Sequence, residues 1–132
     1  MNNKILVVDD EQAVLDITAE ILTRDGFEVV MASKAMRALE IFQEEKPFLV
    51  LTDLRLQNHI DGSTMADRMH RQDPLCIFVA MSGVLHAFEI GYLLGSVFTD
   101  ILPKPCHMEL LLQVARYSRE KRERWNKLLG GM

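Results

Sequence analysis

Five side chains suited to phosphate or metal chemistry lie at or just after the ends of short apolar segments. They are Asp9, Asp10, Asp53, Ser82 and Lys104. If the fold brings the three carboxylates together, they repel one another and must share a proton or bind a cation. Oxygen ligands without histidine or cysteine suit a hard ion, and an open site that keeps waters for an incoming phosphate suits Mg²⁺. These residue types therefore predict a magnesium site that accepts phosphate.

Asp53 is the best candidate for a nucleophile toward a phosphoryl group, because it stands alone while the other two acids are adjacent. Lys104 would neutralise charge on the transferred group, and the Ser82 hydroxyl would donate a hydrogen bond to it. Each residue also has a structural interpretation, as a helix N-terminal charge, a loop cap, a turn residue or a solvated lysine. Because all five residues lie at the ends of apolar segments, the phosphate and metal chemistry is favoured over these structural roles.

The apolar segments that precede these residues predict buried parallel strands. The segments are Ile5–Val8, Phe48–Thr52, Cys76–Met81 and Ile101–Pro103, the last within a strand centred on 97–102, and Phe27–Ala32 adds a further strand. Strands that alternate with helices pair in parallel through right-handed crossovers. We therefore expect an α/β fold: a three-layer, doubly wound sheet of five βα units, whose carboxyl edge collects the chemical groups in one cleft.

Helical spacing separates the strands. We expect helices over 11–24 with Gly26 as C-cap, from Ser33 as N-cap through Phe42, over about 63–71, over about 86–94, and from residue 107 or 108 onward. The fourth of these has apolar residues around most of its circumference, so it should be either unusually buried or adhesive.

Composition sets the class of protein. With 132 residues and 48% hydrophobic content, the chain fits one compact domain. The net charge is −4, and 12 of the 19 acidic residues fall within the first 62 positions, where the cleft is predicted. No leader-like start or membrane-spanning apolar stretch is evident, so we expect a cytoplasmic protein. Cys76 and Cys106 should be reduced thiols, and the four scattered histidines do not suggest a metal site.

Taken together, the motifs resemble the receiver domain of two-component response regulators, the CheY-like superfamily. The motifs are Ile5–Glu11, Leu51–Arg55, Asp61–Gly62, Met81–Gly83 and Asp100–Pro105. The resemblance covers about residues 3–120 and implies a flavodoxin-like strand order 2-1-3-4-5. It divides the chain into a receiver domain, 1–120, and residues 121–132, which are a helical extension or the tail of the last helix.

The resemblance implies a role for each site residue. Asp53 is the phosphoacceptor, Asp10 binds Mg²⁺ directly, Asp9 assists through water, and the backbone carbonyl of Arg55 completes the protein ligands. Ser82 is the switch hydroxyl.

It also implies that Lys104 contacts the phosphoryl group and that the Lys104–Pro105 peptide is cis. The donor would be a sensor histidine kinase or a phosphotransfer protein. Phosphorylation would change the surface of helix 4, strand 5 and helix 5 and so control a partner or output domain. The protein would not be a conventional enzyme, although it would phosphorylate itself from a phosphodonor and slowly hydrolyse the aspartyl phosphate.

The chain departs from the family pattern at several positions. Gln57 occupies the place of a usual proline, and Asp61–Gly62 follow one residue later than usual, which predicts a longer loop. Ile101 replaces the aromatic residue usual three positions before the lysine, and Val97–Phe98 replace a usual Gly-Ala pair. We expect altered coupling between Ser82 and the output surface.

The last helix carries a stripe at alternating spacings of four and three residues: Leu111, Ala115, Ser118, Arg122, Trp125 and Leu129. It is either a solvated charged helix end or a segment for dimerisation or linkage, so a homodimer could form through this tail or through the helix 4/strand 5/helix 5 face. Direct nucleic-acid binding is disfavoured because no recognition module accompanies the basic residues.

Three functions compete. The leading one is a phosphorylation-dependent signalling switch, and the alternatives are a small Mg²⁺-dependent phosphohydrolase and a pseudo-receiver that binds partners constitutively. The shortness of the chain disfavours the hydrolase, because little sequence remains for a cap that excludes water.

Overall fold

The computed structural model describes residues 2–56, 61–83 and 87–130, with residues 87 and 88 described in backbone only. The elements are β1 (Lys4–Val8), α1 (Gln12–Arg24), β2 (Glu28–Ala32), α2 (Ala35–Glu45), β3 (Leu49–Asp53), α3 (Gly62–Gln72), β4 (Ile77–Ser82), α4 (Ala87–Leu94), β5 (Phe98–Pro103) and α5 (Met108–Leu128). The strands form one parallel sheet in the order β2-β1-β3-β4-β5. The predicted fold class and strand order are confirmed.

The carboxyl ends of the central strands lie level with one another. Val8 pairs with Thr52, and Asp53 pairs with Met81 on the next strand. At the far side Ser82 pairs with Pro103. The residue that follows each strand therefore emerges at the same edge of the sheet.

The core lies on both faces of the sheet. On β3, Val50 contributes to one hydrophobic cluster while Leu49 and Leu51 contribute to the other, as the alternation of side chains along a strand requires. Because helices cover both faces, this strand is buried along its whole length. The sheet is thus a rigid support for the groups at its edge.

Of the caps predicted for the first two helices, one agrees with the structure and the other does not. Gly26 has a φ of +94°, and it and Phe27 donate backbone hydrogen bonds to the carbonyls of Thr23 and Leu22, so the predicted glycine cap ends α1. The predicted N-cap at Ser33 is wrong. The cap position of α2 is one residue later, at a lysine without a capping side-chain hydrogen bond.

The helix α4 is partly exposed rather than unusually buried. Leu93 is 5% exposed, whereas Ile90, Leu94 and especially Tyr92, which is 78% exposed, face outward. The start predicted near His86 and the side chain of Phe88 lie outside the described residues.

The helix α5 runs without a break to Leu128. Leu111, Ala115 and Ser118 are buried against the domain, and Trp125 packs against the same hydrophobic cluster. The first part of the predicted stripe is therefore the face by which α5 packs on its own domain. Arg122 continues this contact by an ion pair with Asp73, and Arg116 forms a bidentate pair with Asp25.

Three smaller predictions bear on the site and the class of protein. The Lys104–Pro105 peptide is cis, and both cysteines are free thiols. In the described part of the chain, no helix is both long enough and apolar enough to cross a membrane.

Candidate functional site

Three carboxylates meet at the carboxyl edge of the sheet. Asp9 follows β1, Asp10 is its neighbour, and Asp53 ends β3; one oxygen from each lies within 4.8 Å of the others. Asp9 is fully buried, and Asp53 is 9% exposed. Among the described residues this is the one cluster of three or more side chains with metal-binding geometry.

The same type of local hydrogen bond orients both buried carboxylates. Oδ1 of Asp9 accepts a hydrogen bond from the backbone N–H of Glu11 at 2.9 Å, two residues along the chain. Oδ1 of Asp53 accepts the equivalent bond from the backbone N–H of Arg55 at 3.1 Å. Such turns fix the side chain relative to its own backbone. In each aspartate the second oxygen, Oδ2, is left to contact Lys104.

Lys104 joins the two buried carboxylates. Its Nζ lies 2.7 Å from Oδ2 of Asp9 and donates a hydrogen bond to Oδ2 of Asp53 at 2.9 Å. The Glu11 carboxylate lies farther away, at 3.8 Å. The backbone N–H of Lys104 donates to the Ser82 carbonyl at 2.8 Å, which fixes the lysine beside the end of β4. Lys104 therefore contacts residues that lie 51 and 95 positions earlier in the chain.

The surroundings alter the pKa values of two groups. Burial raises the pKa of the Asp9 carboxyl above its ordinary value, and the Lys104 ammonium beside it offsets this only in part. Burial alone would lower the pKa of Lys104, but the two carboxylates outweigh it, so the pKa of Lys104 is raised. The lysine is thus a permanent cation at neutral pH, and it faces an acid whose charge is costly to bury.

These groups border an open cleft of about 340 Å³. The cleft is lined by Asp10, Glu11, Asp53, Arg55, Ser82, Gly83 and Lys104. The structure therefore brings together the side chains predicted from the strand ends, and Asp9 lies beneath them. The loop position Gln57 lies outside the described residues.

The donor set fits a hard divalent cation. It consists of carboxylate oxygens in an open cleft, the ligands and setting that Mg²⁺ prefers. Within the described part of the chain, Oδ2 of Asp9 is buried without a hydrogen bond, its close contact with Lys104 being an ion pair. A buried carboxylate oxygen with unused acceptor capacity is suited to a metal or to a ligand of the metal.

Two residues behind the cleft were not predicted from sequence. The Thr52 hydroxyl donates a hydrogen bond to the backbone carbonyl of Asp53 at 2.8 Å. Gly62 approaches the same carbonyl so closely that a side chain there would collide with it. The glycine that ends the Asp61–Gly62 motif was the available signal, but its contact with β3 depends on the tertiary fold.

Beside the cleft, Ile101 lies where the family pattern has an aromatic residue. Its side chain is partly buried between β5 and α4. A cavity of about 350 Å³ remains there, and Ser82, Ile90, Leu94 and Ile101 contribute to its lining. An open pocket therefore lies beside Ser82, bordered by residues of β5 and α4.

The chain matches a known family over most of its length. The family described as "Response regulator receiver domain" matches residues 5–116. The solved receiver domain of NtrX from Brucella abortus superimposes with a TM-score of 0.82 at 32% identity, over 88% of this chain and 98% of that one.

Curated proteins of similar sequence include bacterial regulatory proteins. The alkaline phosphatase synthesis transcriptional regulatory protein PhoP of Bacillus subtilis is 32% identical over 80% of this chain and 43% of its own length. Sporulation initiation phosphotransferase F of the same organism is 35% identical over 52% of this chain and 55% of its own length. The chain thus spans about half the length of these two relatives.

Proposed function

Because this chain belongs to the receiver domain family of two-component response regulators, we propose that Asp53 accepts a phosphoryl group and that its phosphorylation controls a partner or output domain. The donor would be a phosphohistidine of a sensor kinase or of a phosphotransfer protein. The observation that carries the proposal is the pair of buried carboxylates bridged by Lys104 at the base of an open cleft.

In the proposed step, a carboxylate oxygen of Asp53 forms a bond to phosphorus. The bond between phosphorus and the donor's imidazole nitrogen breaks, and the nitrogen keeps the electron pair. Lys104 is already at hydrogen-bond distance from Oδ2 of Asp53, so it can follow the charge onto the phosphoryl oxygens with little movement. The Ser82 hydroxyl, at the end of β4, would donate to one of these oxygens.

We propose that Asp9, Asp10, Asp53 and the backbone carbonyl of Arg55 hold Mg²⁺. When bound, the ion supplies charge neutralisation and alignment for phosphoryl transfer. The carboxylate cluster supports this assignment. The two backbone hydrogen bonds to Oδ1 of Asp9 and Asp53 would keep the carboxylates oriented before the ion arrives.

The output surface proposed here is formed by α4, β5 and α5. Exposed apolar side chains on α4, foremost Tyr92, make it suitable for a protein partner, which could be a second copy of this chain. The cavity beside Ile101 separates this surface from Ser82, so we propose that the aliphatic side chain transmits the change by repacking rather than by rotation of a ring.

The test is modification by acetyl phosphate with Mg²⁺, followed by mass spectrometry of the intact protein. Wild type should gain one phosphoryl group, and Asp53→Asn should gain none. Asp67→Asn is a matched control, because it makes the same chemical change at an exposed site on α3. Unchanged modification of Asp53→Asn would refute the assignment of the phosphoacceptor.

The alternatives predict other results. A pseudo-receiver should show no saturable Mg²⁺ binding by calorimetry. A phosphohydrolase should turn over small phosphomonoesters rapidly, whereas a signalling receiver should release phosphate only slowly from its own aspartate.

A further inference from the structure

We propose that Thr52 and Gly62 are positioning residues that hold the backbone of Asp53 from two sides and so set the Mg²⁺ affinity and phosphorylation rate of the site. This inference rests on the proposed function, since it takes Asp53 as the reacting residue. Neither residue touches the cleft. Both act through the main-chain carbonyl of Asp53.

The first contact is a buried hydrogen bond. Thr52 is fully buried, and its Oγ1 donates to the Asp53 carbonyl oxygen at 2.8 Å. Burying a hydroxyl without a hydrogen-bond partner costs free energy, and here the Asp53 carbonyl is the partner. The bond fixes the orientation of the peptide group that follows Asp53.

The second contact is steric. A Cβ on Gly62 would collide with the Asp53 carbonyl oxygen and would lie 3.0 Å from Cα of Leu54 and 3.1 Å from the carbonyl carbon of Asp53. All three are backbone atoms, which cannot move aside as a flexible side chain can. The Gly62 N–H also donates to the Leu54 carbonyl at 3.1 Å. The start of α3 is therefore in direct contact with the end of β3.

The helix has little freedom to retreat from this contact. Met65, Ala66 and Met69 on α3 are fully buried in a hydrophobic cluster. A larger residue at position 62 must therefore either lift these side chains from the core or displace the end of β3. Displacement of β3 would move the Asp53 carboxylate and the Arg55 carbonyl together.

This arrangement is also compatible with a longer loop. The Gly62–Leu54 hydrogen bond closes the loop at its base. A residue added between these two positions changes the loop but leaves the contact on Asp53 in place. The late arrival of Asp61–Gly62 in the sequence is therefore compatible with an intact site.

The sharpest test compares two substitutions at one position. Thr52→Val keeps the shape of the side chain but removes the hydroxyl, and Thr52→Ser keeps the hydroxyl but removes a methyl group. If the hydrogen bond positions Asp53, Mg²⁺ affinity measured by calorimetry should fall about tenfold in Thr52→Val and remain close to wild type in Thr52→Ser. A packing role predicts the reverse order.

Gly62→Ala should lower Mg²⁺ affinity and the rate of phosphorylation by acetyl phosphate by about 10- to 100-fold. Gly91→Ala is the control glycine, since nothing lies near its added Cβ. Asp61→Ala is the control for α3, because it removes the cap on the Thr64 N–H without altering the contact on Asp53, and it should lower the melting temperature but not Mg²⁺ affinity.

A readout without metal completes the test. In ¹⁵N NMR spectra of the apo protein, the amide signals of Asp53 and Leu54 should shift in Thr52→Val and Gly62→Ala but not in Asp61→Ala. Should Gly62→Ala fail to fold, the Thr52 pair decides the question alone.

The possible failures are separable. If wild type binds Mg²⁺ and the Thr52 and Gly62 variants bind it equally well, the positioning roles are overturned and the proposed function stands. If wild type shows no saturable Mg²⁺ binding, the proposed function falls, and the apo amide shifts then decide whether the two residues position Asp53.

Discussion

Replacing Lys104 by methionine removes the cation that two buried carboxylates share while nearly keeping the length of the side chain. The Nζ atom lies 2.7 Å from Asp9 and 2.9 Å from Asp53, whose side chains are 0% and 12% exposed. Removing one partner of a buried ion pair costs about 3–5 kcal/mol, because it leaves an uncompensated charge. Since the cleft is open and the carboxylates can take up protons, we expect a loss of about 3 kcal/mol at pH 7 in EDTA.

Mg²⁺ should restore much of this loss, because it places positive charge among the same carboxylates. A ligand that binds only the folded state adds about 2.7 kcal/mol at one hundred times its Kd. Lys104 competes with the ion for the oxygens of Asp9 and Asp53, so the variant should bind Mg²⁺ more tightly than wild type. Mg²⁺ should therefore raise the unfolding free energy of Lys104→Met by more than it raises that of wild type.

The assay is urea unfolding followed by circular dichroism, in EDTA and at saturating MgCl₂. The control is Lys34→Met, at an exposed position, which should stay within about 0.5 kcal/mol of wild type. Two results would refute the reasoning: a Lys104→Met protein as stable as wild type in EDTA, or one that gains no more from Mg²⁺ than wild type does.

Further predictions concern the rest of the domain. Leu111→Ala should lower the unfolding free energy by about 3 kcal/mol in urea, because the side chain is fully buried between α5 and the sheet. Arg116 lowers the pKa of Asp25 below its ordinary 3.8. This pair therefore stabilises the fold above about pH 4, and its contribution is lost as the pH falls through the lowered pKa. In an acid titration, Asp25→Asn should accordingly lose less stability than wild type. Burial raises the pKa of both thiols, so Ellman's reagent should leave Cys76 unmodified and label Cys106 slowly until urea unfolds the protein.

The strand ends and the fold were predictable because buried parallel strands are nearly continuous apolar runs. Asp9, which follows β1, and Asp53 and Ser82, which end β3 and β4, then fall at one edge by topology alone. Gly26 was predictable for a local reason, since a left-handed φ favours glycine. The cap at Ser33 failed because residue types preferred at caps also occur in the turn just before one.

The contacts between distant elements were not predictable from a single sequence. Sequence suggested Lys104 as a partner of phosphate, but its ion pairs with Asp9 and Asp53 depend on how three strands meet. The stripe that includes Leu111 and Trp125 has the same spacing whether a helix packs on another copy or on its own sheet. Only the structure distinguishes these, because spacing defines a face and not its neighbour.

The bridge between Asp9, Asp53 and Lys104 draws one group each from near the start, the middle and the end of the fold. During synthesis, a chain emerging from the ribosome holds the two acids long before the lysine that pairs with them has been added. The bridge therefore forms only when β5 has joined the sheet, and an incomplete or unfolded chain does not assemble the site at which we propose phosphorylation. Under the proposed function, the ability to accept a phosphoryl group would thus depend on completed folding.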